Sequence, residues 1–462
     1  MMRNLIFSIV LSTLIALPLA VAQTDSYKPD ADTVLNLIRN DKLNLVLPGA
    51  MRNNEVDMWI HVGRLGQPNS LEYEFGVVDG YLIFTDTGEQ IERALFGGIF
   101  TGPGGVNRID VQGSTAVARA IAGYDYGKTE FSVYDEIRDY VASQDPKTIA
   151  INFSDWLAAA DSISYTQMEK LKKILGAEYA ARIVSAENLI TEYRSRRLLR
   201  EIVVQANTLE IARQNALRNL ARIVPGVTTI GECNCDARIY YSAKSDRLRE
   251  PHATSWIKHP DYVFQRGDFF AFAGDAEWMD FGEESFGVDT KHHAYIPLEG
   301  ESTVPKELQF AWDQTKKAQG IIRDQVKVGM TSGEALAAIV SALEDANFVY
   351  TPFTDDPADD YRMIQEMLKN TDKSGFYVDL HAMGNNGGSL VTVGPSMAPF
   401  RRDRDDIVIQ PNHIFAFEFA VHTKLPSRRG YPITINFSNP QAVTELGVEW
   451  IQPANDGIHL VH

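Results

Sequence analysis

One long helical segment divides this chain of 462 residues into two parts with different sequence patterns. From Ser185 to Val224 apolar residues recur at helical spacing, and Pro225-Gly226 follows where the pattern stops. Ser185 is placed as a possible N-cap, because a serine hydroxyl accepts hydrogen bonds from the first turn of a helix. A helix of this length predicts a link between two domains, and we expect it also to begin the second one.

The part before this helix alternates between helical and strand patterns. Residues 32–47 have apolar side chains at helical spacing, whereas VDMWIHVGR, GYLIFTD and TIAINFS are short apolar runs bounded by glycine, proline or polar turns. Such runs are typical of buried strands. The pattern from Asp32 to about Val184 therefore predicts an α/β domain.

The part after the helix predicts antiparallel strands between helices, in the segments DFFAFAGDAEW, VDTKHHAYI, HIFAFEFAVHT and YPITINFS. It also contains a faint repeat, because ARIVPGVTTIGE and DQVKVGMTSGEAL each place glycine and then threonine after a helix. Glycine suits a helix C-terminus, and threonine can cap the next helix. We predict two related halves whose helices end at Gly226 and Gly329. Two ordinary helix turns that look alike are the alternative.

The N-terminal segment fits a secretory signal peptide. Arg3 precedes an apolar run over residues 5–19, and Ala20-Val21-Ala22 fits the small-residue rule for cleavage. The run is short for a membrane span and contains Pro18, which argues against an uncleaved anchor. We therefore expect cleavage after residue 22 and an exported protein, periplasmic or extracellular, without a membrane partner once the signal is removed.

Cysteine content and charge exclude further classes of protein. Cys233 and Cys235 are the only cysteines, so packing must hold the fold without a disulfide framework. A bridge across one residue is expected to be strained, and we interpret the pair as two small residues near a strand, with a redox or metal role as the alternative. The formal net charge of -17 argues against nucleic-acid or anionic-membrane partners, which require many Lys and Arg side chains.

An ordered set of segments resembles the pita-bread metallopeptidase family, which includes Xaa-Pro aminopeptidase, prolidase, methionine aminopeptidase and their non-metal relative creatinase. In chain order these segments are MRNNEVDMWIHVGR, SYTQMEKLKKILG, SRRLLREIVVQANTLEIARQNAL, VDTKHHAYIPLEGE, HAMGNNGG, PNHIFAFEFAV and AVTELGVEWI. The resemblance runs from about residue 32 to the C-terminus. Beside the signal peptide expected at 1–22, it implies an α/β creatinase-like N-terminal domain at 23–188 and an α+β pita-bread domain at 189–462.

The resemblance implies a site in which two Asp, one His and two Glu hold two divalent ions. Adjacent cations repel each other, so carboxylates must neutralise them, and the metal pair lowers the pKa of a bridging water until hydroxide can attack a peptide carbonyl. Asp289 in VDTKHH matches the second Asp, and Glu418 in FAFEFAV matches the first Glu. These two ligands carry over.

The first Asp does not carry over directly. Its usual distance from the Gly267-Asp268 turn leads to Ala273. Asp275 and Asp280 are near, but either would require a bulge or an insertion to reach the ligand position. Of the two we favour Asp275.

The histidine and the last Glu are missing from the matching segments. Two registers of the glycine-rich loop place the histidine at Asn385 or Gly388, and neither side chain binds metal as imidazole does. The last Glu falls within ITINFSNPQ, where residues 436–439 contain no carboxylate. The resemblance therefore implies an incomplete metal site.

Histidines supply the remaining candidate site residues. His381 matches a histidine that lies beside the substrate in the family, and a hydrogen-bonded loop histidine is the alternative. With His252, His292 and His293 it gives the cleft several candidate bases. We take His381 and His252 as catalytic candidates, and as metal residues, vestigial if no metal binds, we take Asp289, Glu418 and Asp275.

Three functions follow from this site. The leading hypothesis is a non-metal pseudo-peptidase without a cofactor, with a peptide or small molecule in its cleft and a homodimer as a possible assembly. The alternatives are an active aminopeptidase or dipeptidase that uses Mn, Co or Zn, and a creatinase-like hydrolase in which histidine transfers the proton. Without cations Asp289 and Glu418 would repel each other, so we expect a raised pKa on one of them, or a basic side chain such as His381 or Lys291 between them.

Overall fold

The computed structural model describes residues 30–63, 71–100, 108–114, 126–243, 258–274, 276, 288–352, 357–383, 393–399, 404–453 and 455–462. The segment expected to be a signal peptide lies outside these residues, and so do His252, Asp275, Asp280, Asn385 and Gly388. Cleavage after residue 22 therefore stays an expectation. In the described part of the chain, no helix has both the length and the hydropathy needed to cross a membrane.

The first part of the chain forms a six-stranded sheet. Its strands are β1 (Met58–Gly63), β2 (Val77–Asp86), β3 (Ile91–Phe100), β4 (Val111–Gln112), β5 (Ile149–Ile151) and β6 (Ile183–Ser185). Its helices are α1 (Ala31–Asp41), a π-helix (Lys42–Val46), α2 (Leu47–Asn53), α3 (Glu72–Phe75), α4 (Tyr126–Gln144), a 3-10 helix (Ala158–Ala160) and α5 (Tyr165–Ala180). The strand order is β4-β3-β2-β1-β5-β6, with parallel pairs at both ends and antiparallel pairs in the middle.

Strand β1 shows why this sheet forms where the apolar runs predicted it. All six of its residues are buried. Trp59 belongs to the hydrophobic cluster on one face, and Ile60 belongs to the cluster on the other. Because successive side chains of a strand point to opposite faces, a run that is apolar throughout requires cover on both sides. The predicted α/β pattern is confirmed.

The single long helix of the prediction is wrong, because two helices occupy this segment. They are α6 (Glu187–Ser195) and α7 (Leu199–Leu220). Between them the backbone is extended at Arg196. The ammonium group of Lys42 donates hydrogen bonds to the carbonyls of Tyr193 and Arg196. Ser185 ends strand β6, and the N-cap of α6 is Ala186. The predicted contact is still present one residue earlier, because the Ser185 hydroxyl accepts from the amide of Glu187 at 3.1 Å while it donates to the carbonyl of Phe153.

The second part of the chain contains two sheets. The remaining helices are α8 (Ile230–Cys233), α9 (Lys306–Gln325), α10 (Ser332–Asp345), α11 (Pro357–Leu368) and a 3-10 helix (Pro426–Arg428). The strands are β7 (Arg238–Ser242), β8 (Asp268–Phe272), β9 (His292–Tyr295), β10 (Phe348–Tyr350), β11 (Ser374–Met383), β12 (Ser396–Met397), β13 (Ile414–Lys424), β14 (Pro432–Phe437), β15 (Pro440–Thr444), β16 (Gly447–Trp450) and β17 (Ile458–Leu460).

These strands confirm the predicted α+β arrangement. The smaller sheet has the order β17-β9-β8-β7. The larger sheet has the order β10-β11-β13-β15-β16, with β12 paired to β11 and β14 paired to β13. The four segments predicted as antiparallel strands contain β8, β9, β13 and β14, and each pairs antiparallel with a neighbour.

The second part repeats one local structure, as the glycine and threonine spacing predicted. Helices α7 and α9 each end a few residues before a glycine with positive φ, 82° at Gly226 and 89° at Gly329. The amide of Gly226 donates to the carbonyl of Phe264, and the amide of Gly329 donates to that of Ile409. These two acceptors precede strands β8 and β13, so corresponding loops lead into corresponding strands.

The next turn of each half matches in the same way. Thr229 and Thr331 each form a reciprocal capping box with a glutamate three residues later. Gly231 and Gly333 each donate a 2.9 Å backbone hydrogen bond to the segment that approaches the following strand. The duplication is therefore present in the contacts and is not a chance likeness of two helix turns.

Cys233 and Cys235 form a disulfide, which corrects their interpretation as two small unlinked residues. Asn234 between them has a left-handed conformation, with φ of 50°, and this tight turn brings the two Cα atoms to 5.2 Å. Both cysteines are buried. The bridge closes the turn after helix α8 and lies within the small hydrophobic cluster beneath helix α7.

Gly274 provides a test of how strand β8 packs on helix α7. A Cβ at this position would overlap backbone atoms of Ala212 and Ala216 in the helix. Gly274→Ala should therefore lower the free energy of unfolding by about 1–3 kcal/mol. Gly320→Ala is the control, because a Cβ there meets nothing within 4 Å and should add up to about 1 kcal/mol of helix stability. Urea unfolding measures both, and equal midpoints would contradict the packing.

Candidate functional site

Four charged side chains meet on one face of the larger sheet, and we call them the charge quartet. The ammonium nitrogen of Lys291 lies 2.9 Å from Oε1 of Glu418 and 3.2 Å from Oδ1 of Asp289. The Nε2 atom of His381 lies 3.4 Å from Oδ2 of Asp289 and 3.6 Å from Oε2 of Glu418. No side chain of the quartet is more than 26% exposed.

The register of strands β11 and β13 brings two of these residues together. Asp379 lies directly opposite Glu418, and His381 follows Asp379 at the next position of the same face. Paired residues and their neighbours two positions away share a face of a sheet. Leu380 and Phe417 point to the other face, where they belong to the main hydrophobic core. Core packing therefore fixes the strands that present His381 and Glu418.

Opposite charges in the quartet outweigh the effect of burial. Burial alone would raise the pKa of Asp289, but Lys291 and His381 hold it well below the usual range. Burial alone would lower the pKa of His381, but its contacts with Asp289 and Glu418, with a contribution from Asp379, raise it to about 9. At neutral pH the quartet therefore contains two positive and two negative charges.

Lys291 shows the same balance. Burial alone would lower its pKa, but Asp289 and Glu418 raise it above its ordinary value. The expectation that a basic side chain lies between the two carboxylates is confirmed. His381 lies on strand β11 and also contacts both carboxylates. The resemblance matched it to a histidine beside the substrate, whereas here it lies among the residues matched to metal ligands.

The internal repeat identifies the position of the first metal Asp. In the first half the amide of Gln265 donates to the carboxylate of Asp268, at the start of strand β8. In the second half the amide of Gln410 donates to Nδ1 of His413, just before strand β13. Asp268 and His413 are therefore equivalent. Five residues after His413 the chain reaches Glu418.

The same count in the first half reaches Ala273, which cannot bind a metal ion. The structure therefore gives Ala273 the same place in the first half that Glu418 has in the second. The sequence count from the Gly-Asp turn led to the same residue. Asp275, which we favoured as a substitute, lies outside the described residues.

The repeat also identifies the position of the last Glu. Phe272 on β8 pairs with His292, and its counterpart Phe417 on β13 donates its amide to the carbonyl of Asn439. Three residues before each partner lie Asp289 and Asn436, which are therefore equivalent. At these equivalent positions each half has one carboxylate, Asp289 in the first and Glu418 in the second.

Asn436, at the position equivalent to Asp289, has an uncharged amide side chain that forms two hydrogen bonds. Its Nδ2 group donates to Oε1 of Glu418 at 3.3 Å and to the hydroxyl of Tyr377 at 3.2 Å. An amide that donates to Glu418 satisfies the carboxylate, whereas a second carboxylate at this distance would repel it. Asn436 thus places a hydrogen-bond donor beside Glu418.

These residues do not fit the pair of ions that the family resemblance implies. Among the described residues, one group of three metal-ligating side chains has donor atoms within 4.8 Å of one another, namely Asp289, His381 and Glu418. The ammonium group of Lys291 contacts both carboxylates of this group. An ion could bind the three side chains only if Lys291 moved away.

Two of the predicted histidines do not reach the site. His293 is fully buried, contacts Trp312 and Phe437, and has a pKa lowered by burial to about 3. His292 points to the opposite side of strand β9, beside Phe272, and burial lowers its pKa to about 4. The prediction that both supply bases to the cleft was wrong, because they lie in hydrophobic clusters. His252 lies outside the described residues.

The sequence interpretation missed two residues of this face, Asp379 and Tyr377. Both lie on strand β11 at two-residue spacing from His381. That spacing was a usable signal, because alternate residues of a strand share a face. It went unused because His381 and the glycines after it were interpreted as a loop, whereas the strand runs from Ser374 to Met383.

Removal of the Lys291 ammonium group should destabilise the fold. In Lys291→Met the carboxylates of Asp289 and Glu418 keep their positions and lose a buried counter-charge. A buried ion pair that loses one partner costs about 3–5 kcal/mol. Lys172→Met is the control, since its pair with Glu169 is exposed and should contribute little. Urea unfolding at pH 7 measures both, and equal free energies of unfolding would contradict a paired Lys291.

The raised pKa of His381 predicts a pH dependence of stability. Its contribution should be full below pH 6.5, where both folded and unfolded states bind the proton, and should be lost as pH rises through 9. At ~1.4 kcal/mol per pKa unit the difference is about 3 kcal/mol. Unfolding free energies from pH 6 to 9.5 should fall more steeply for the wild type than for His381→Gln. Parallel curves would show that His381 is not charged in the folded state.

Comparison of the sequence gives no match. No family model matches the chain, and no curated protein matches it.

Comparison of the structure gives extensive matches. The X-Pro aminopeptidase of Thermotoga maritima superimposes with a TM-score of 0.52 at 15% identity, over 89% of this chain and 100% of that one. The Xaa-Pro dipeptidase of Bacillus anthracis superimposes with a TM-score of 0.50 at 14% identity, over 92% of this chain and 100% of that one. At such identities a likeness establishes the fold. This chain therefore has the pita-bread fold of the Xaa-Pro aminopeptidases and dipeptidases, as its sequence predicted.

Proposed function

We propose that this protein is a pseudo-peptidase that binds a peptide in the pita-bread cleft without a metal ion and does not hydrolyse it. The observation that carries the proposal is the position of Lys291. Its ammonium group contacts one carboxylate from each half of the repeat, Asp289 and Glu418. A tethered cation thus supplies the positive charge that these carboxylates require.

Electrostatic repulsion argues against a metal-dependent reaction at this site. At about 4 Å and an effective dielectric constant of about 20, a divalent ion and an ammonium group repel by about 8 kcal/mol. The raised pKa of Lys291 keeps its proton in place, so the ammonium group cannot avoid this repulsion by deprotonation. With Ala273 and Asn436 in the other two carboxylate positions, little negative charge is available to offset two ions.

The charge state of His381 argues against the creatinase-like alternative. A general base must be neutral before it accepts a proton. His381 has a pKa of about 9 and lies between two carboxylates, so it is already protonated at neutral pH. Lys291 is protonated as well. The quartet therefore offers no free base among these two side chains at neutral pH.

The choice of a peptide as ligand rests on the fold. The two solved relatives are named for action on Xaa-Pro substrates, and in this protein Asp289 and Glu418 keep 26% and 18% side-chain exposure towards the cleft. We propose that a peptide lies against this side. Export after signal cleavage and a homodimeric assembly are further parts of the proposal.

Metal analysis and a cleavage assay test the proposal. The mature protein, incubated with manganese, cobalt or zinc and then desalted, should retain well below one ion per chain. Xaa-Pro peptides should be cleaved no faster than by the double variant Asp289→Ala, Glu418→Ala. Two tightly bound ions together with cleavage that the double variant loses would establish the metallopeptidase alternative. Cleavage without bound metal, lost in His381→Gln, would establish the creatinase-like alternative.

A triple variant supplies the positive control for metal binding. Lys291→Met, Ala273→Asp and Asn436→Glu together remove the tethered cation and return a carboxylate to each half. This variant should bind at least one divalent ion where the wild type does not, because the added charges attract the ion. Failure of both proteins to bind metal would leave the role of Lys291 as counter-charge without support.

Calorimetric titration with short Xaa-Pro peptides tests the binding part of the proposal. We expect saturable binding of intact peptides, with no cleavage product formed during the titration. Asp379→Asn should weaken the binding if the peptide lies over this face, whereas Lys172→Met should not change it. Absence of binding across a set of such peptides would remove the peptide from the proposal.

A further inference from the structure

The joint between helices α6 and α7 contacts both strands of the site. Arg197 in this joint donates to the carbonyl of Met383, from Nε at 3.2 Å and from Nη2 at 3.1 Å. Its backbone amide donates to the carbonyl of Asn412 at 3.4 Å. Met383 ends the strand that presents His381, and Asn412 precedes the strand that presents Glu418. One arginine therefore holds the ends of both strands.

A buried glutamate connects this arginine to the first part of the chain. Nη1 of Arg197 donates to Oε1 of Glu201 at 3.0 Å, and Oε2 of Glu201 lies 3.8 Å from the ammonium group of Lys42. Lys42 belongs to the π-helix after α1 and donates to the carbonyls of Tyr193 and Arg196 at 2.6 Å each. We call Lys42, Glu201 and Arg197 the joint network.

The joint network is buried, so it is not a solvent-exposed ion pair. Arg197 is 3% exposed, Glu201 is 1% exposed and Lys42 is 5% exposed. Removal of three charges from water is strongly unfavourable unless partners are well placed. Here each charge has partners from another element of the fold. A network of this kind favours one arrangement of the elements over others.

From these contacts we infer that Arg197 is a positioning residue, which sets the ends of strands β11 and β13 and so the separation of His381 from Glu418. The network makes this position depend on the first part of the chain, because Lys42 stabilises the carbonyls of the joint that contains Arg197. This inference does not depend on the proposed peptide binding. It concerns the geometry of the cleft, whatever the cleft binds.

Arginine is required for these contacts by its shape. A planar guanidinium donates in several fixed directions and can serve a carbonyl and a carboxylate at once. A lysine at this position could keep the charge next to Glu201 but could not hold the carbonyl of Met383 with two donors. Arg197→Lys therefore separates the effect of charge from the effect of position.

Hydrogen exchange measured by mass spectrometry tests the inference on the full mature protein. In Arg197→Met, and to a smaller extent in Arg197→Lys, residues 380–383 should exchange about tenfold faster through local opening of the strand end, because the side chain holds the carbonyl of Met383. Residues 414–416 should change less, because the backbone amide that holds Asn412 is kept in every variant. Exchange in strands β1 to β3 should not change. Arg200→Met is the matched control. Arg200 follows Arg197 by about one helical turn, and its guanidinium pairs with the partly exposed Asp41. The control should leave strands β11 and β13 unchanged.

A double-mutant cycle tests the connection to the first part of the chain. Lys42→Met and Arg197→Met should each raise the unfolding equilibrium constant. The rise in the double variant should differ from the product of the two single effects by at least about fivefold, because both side chains pair with Glu201. If Arg197→Met does not fold, the same cycle can be made with Arg197→Lys. Strand ends that exchange as in Arg200→Met, or single effects that simply multiply, would overturn the inference and leave Arg197 as a local helix residue.

Discussion

The ammonium group of Lys291, held between Asp289 and Glu418, is the interaction on which the organisation of the cleft depends. Asp289 and Glu418 come from different halves of the repeat, so the two halves bring two negative charges together at this site. Such a buried arrangement requires a counter-charge. In this protein a side chain supplies it, and His381 adds a second positive charge on the other side of the same carboxylates.

The fold itself is maintained by residues that take no part in this site. The main core contains Phe376, Phe417 and Phe437 from the larger sheet and Trp312 from helix α9. These side chains point away from the quartet, and their burial supplies the stabilisation that keeps the strands in place. The same fold can therefore be shared with a solved structure at 15% identity. Function must be argued from the site and not from the fold.

Local patterns in the sequence predicted most of the fold, since short apolar runs predicted the strands and the glycine and threonine spacing predicted the repeat, and both depend on neighbours in the chain. The family resemblance named Asp289 and Glu418, and the count from the Gly267-Asp268 turn led to Ala273. The charge argument named His381 and Lys291 as candidates for the position between the two carboxylates. The break at Arg196 was not predictable from local pattern, because the side chain that satisfies its carbonyl, Lys42, lies 154 residues away in the chain. The burial of His292 and His293 likewise depends on distant strands.

The presence of one carboxylate in each half has a consequence for how metal binding could arise. A metal pair in this cleft would require changes at Ala273, Asn436 and Lys291. A carboxylate gained first at either position adds an unpaired buried negative charge, and loss of Lys291 first leaves two such charges. Each single step is therefore disfavoured while the combination is not, a case of epistasis between sites that share one charge balance. Selection acting on single substitutions would tend to keep this cleft in its present state.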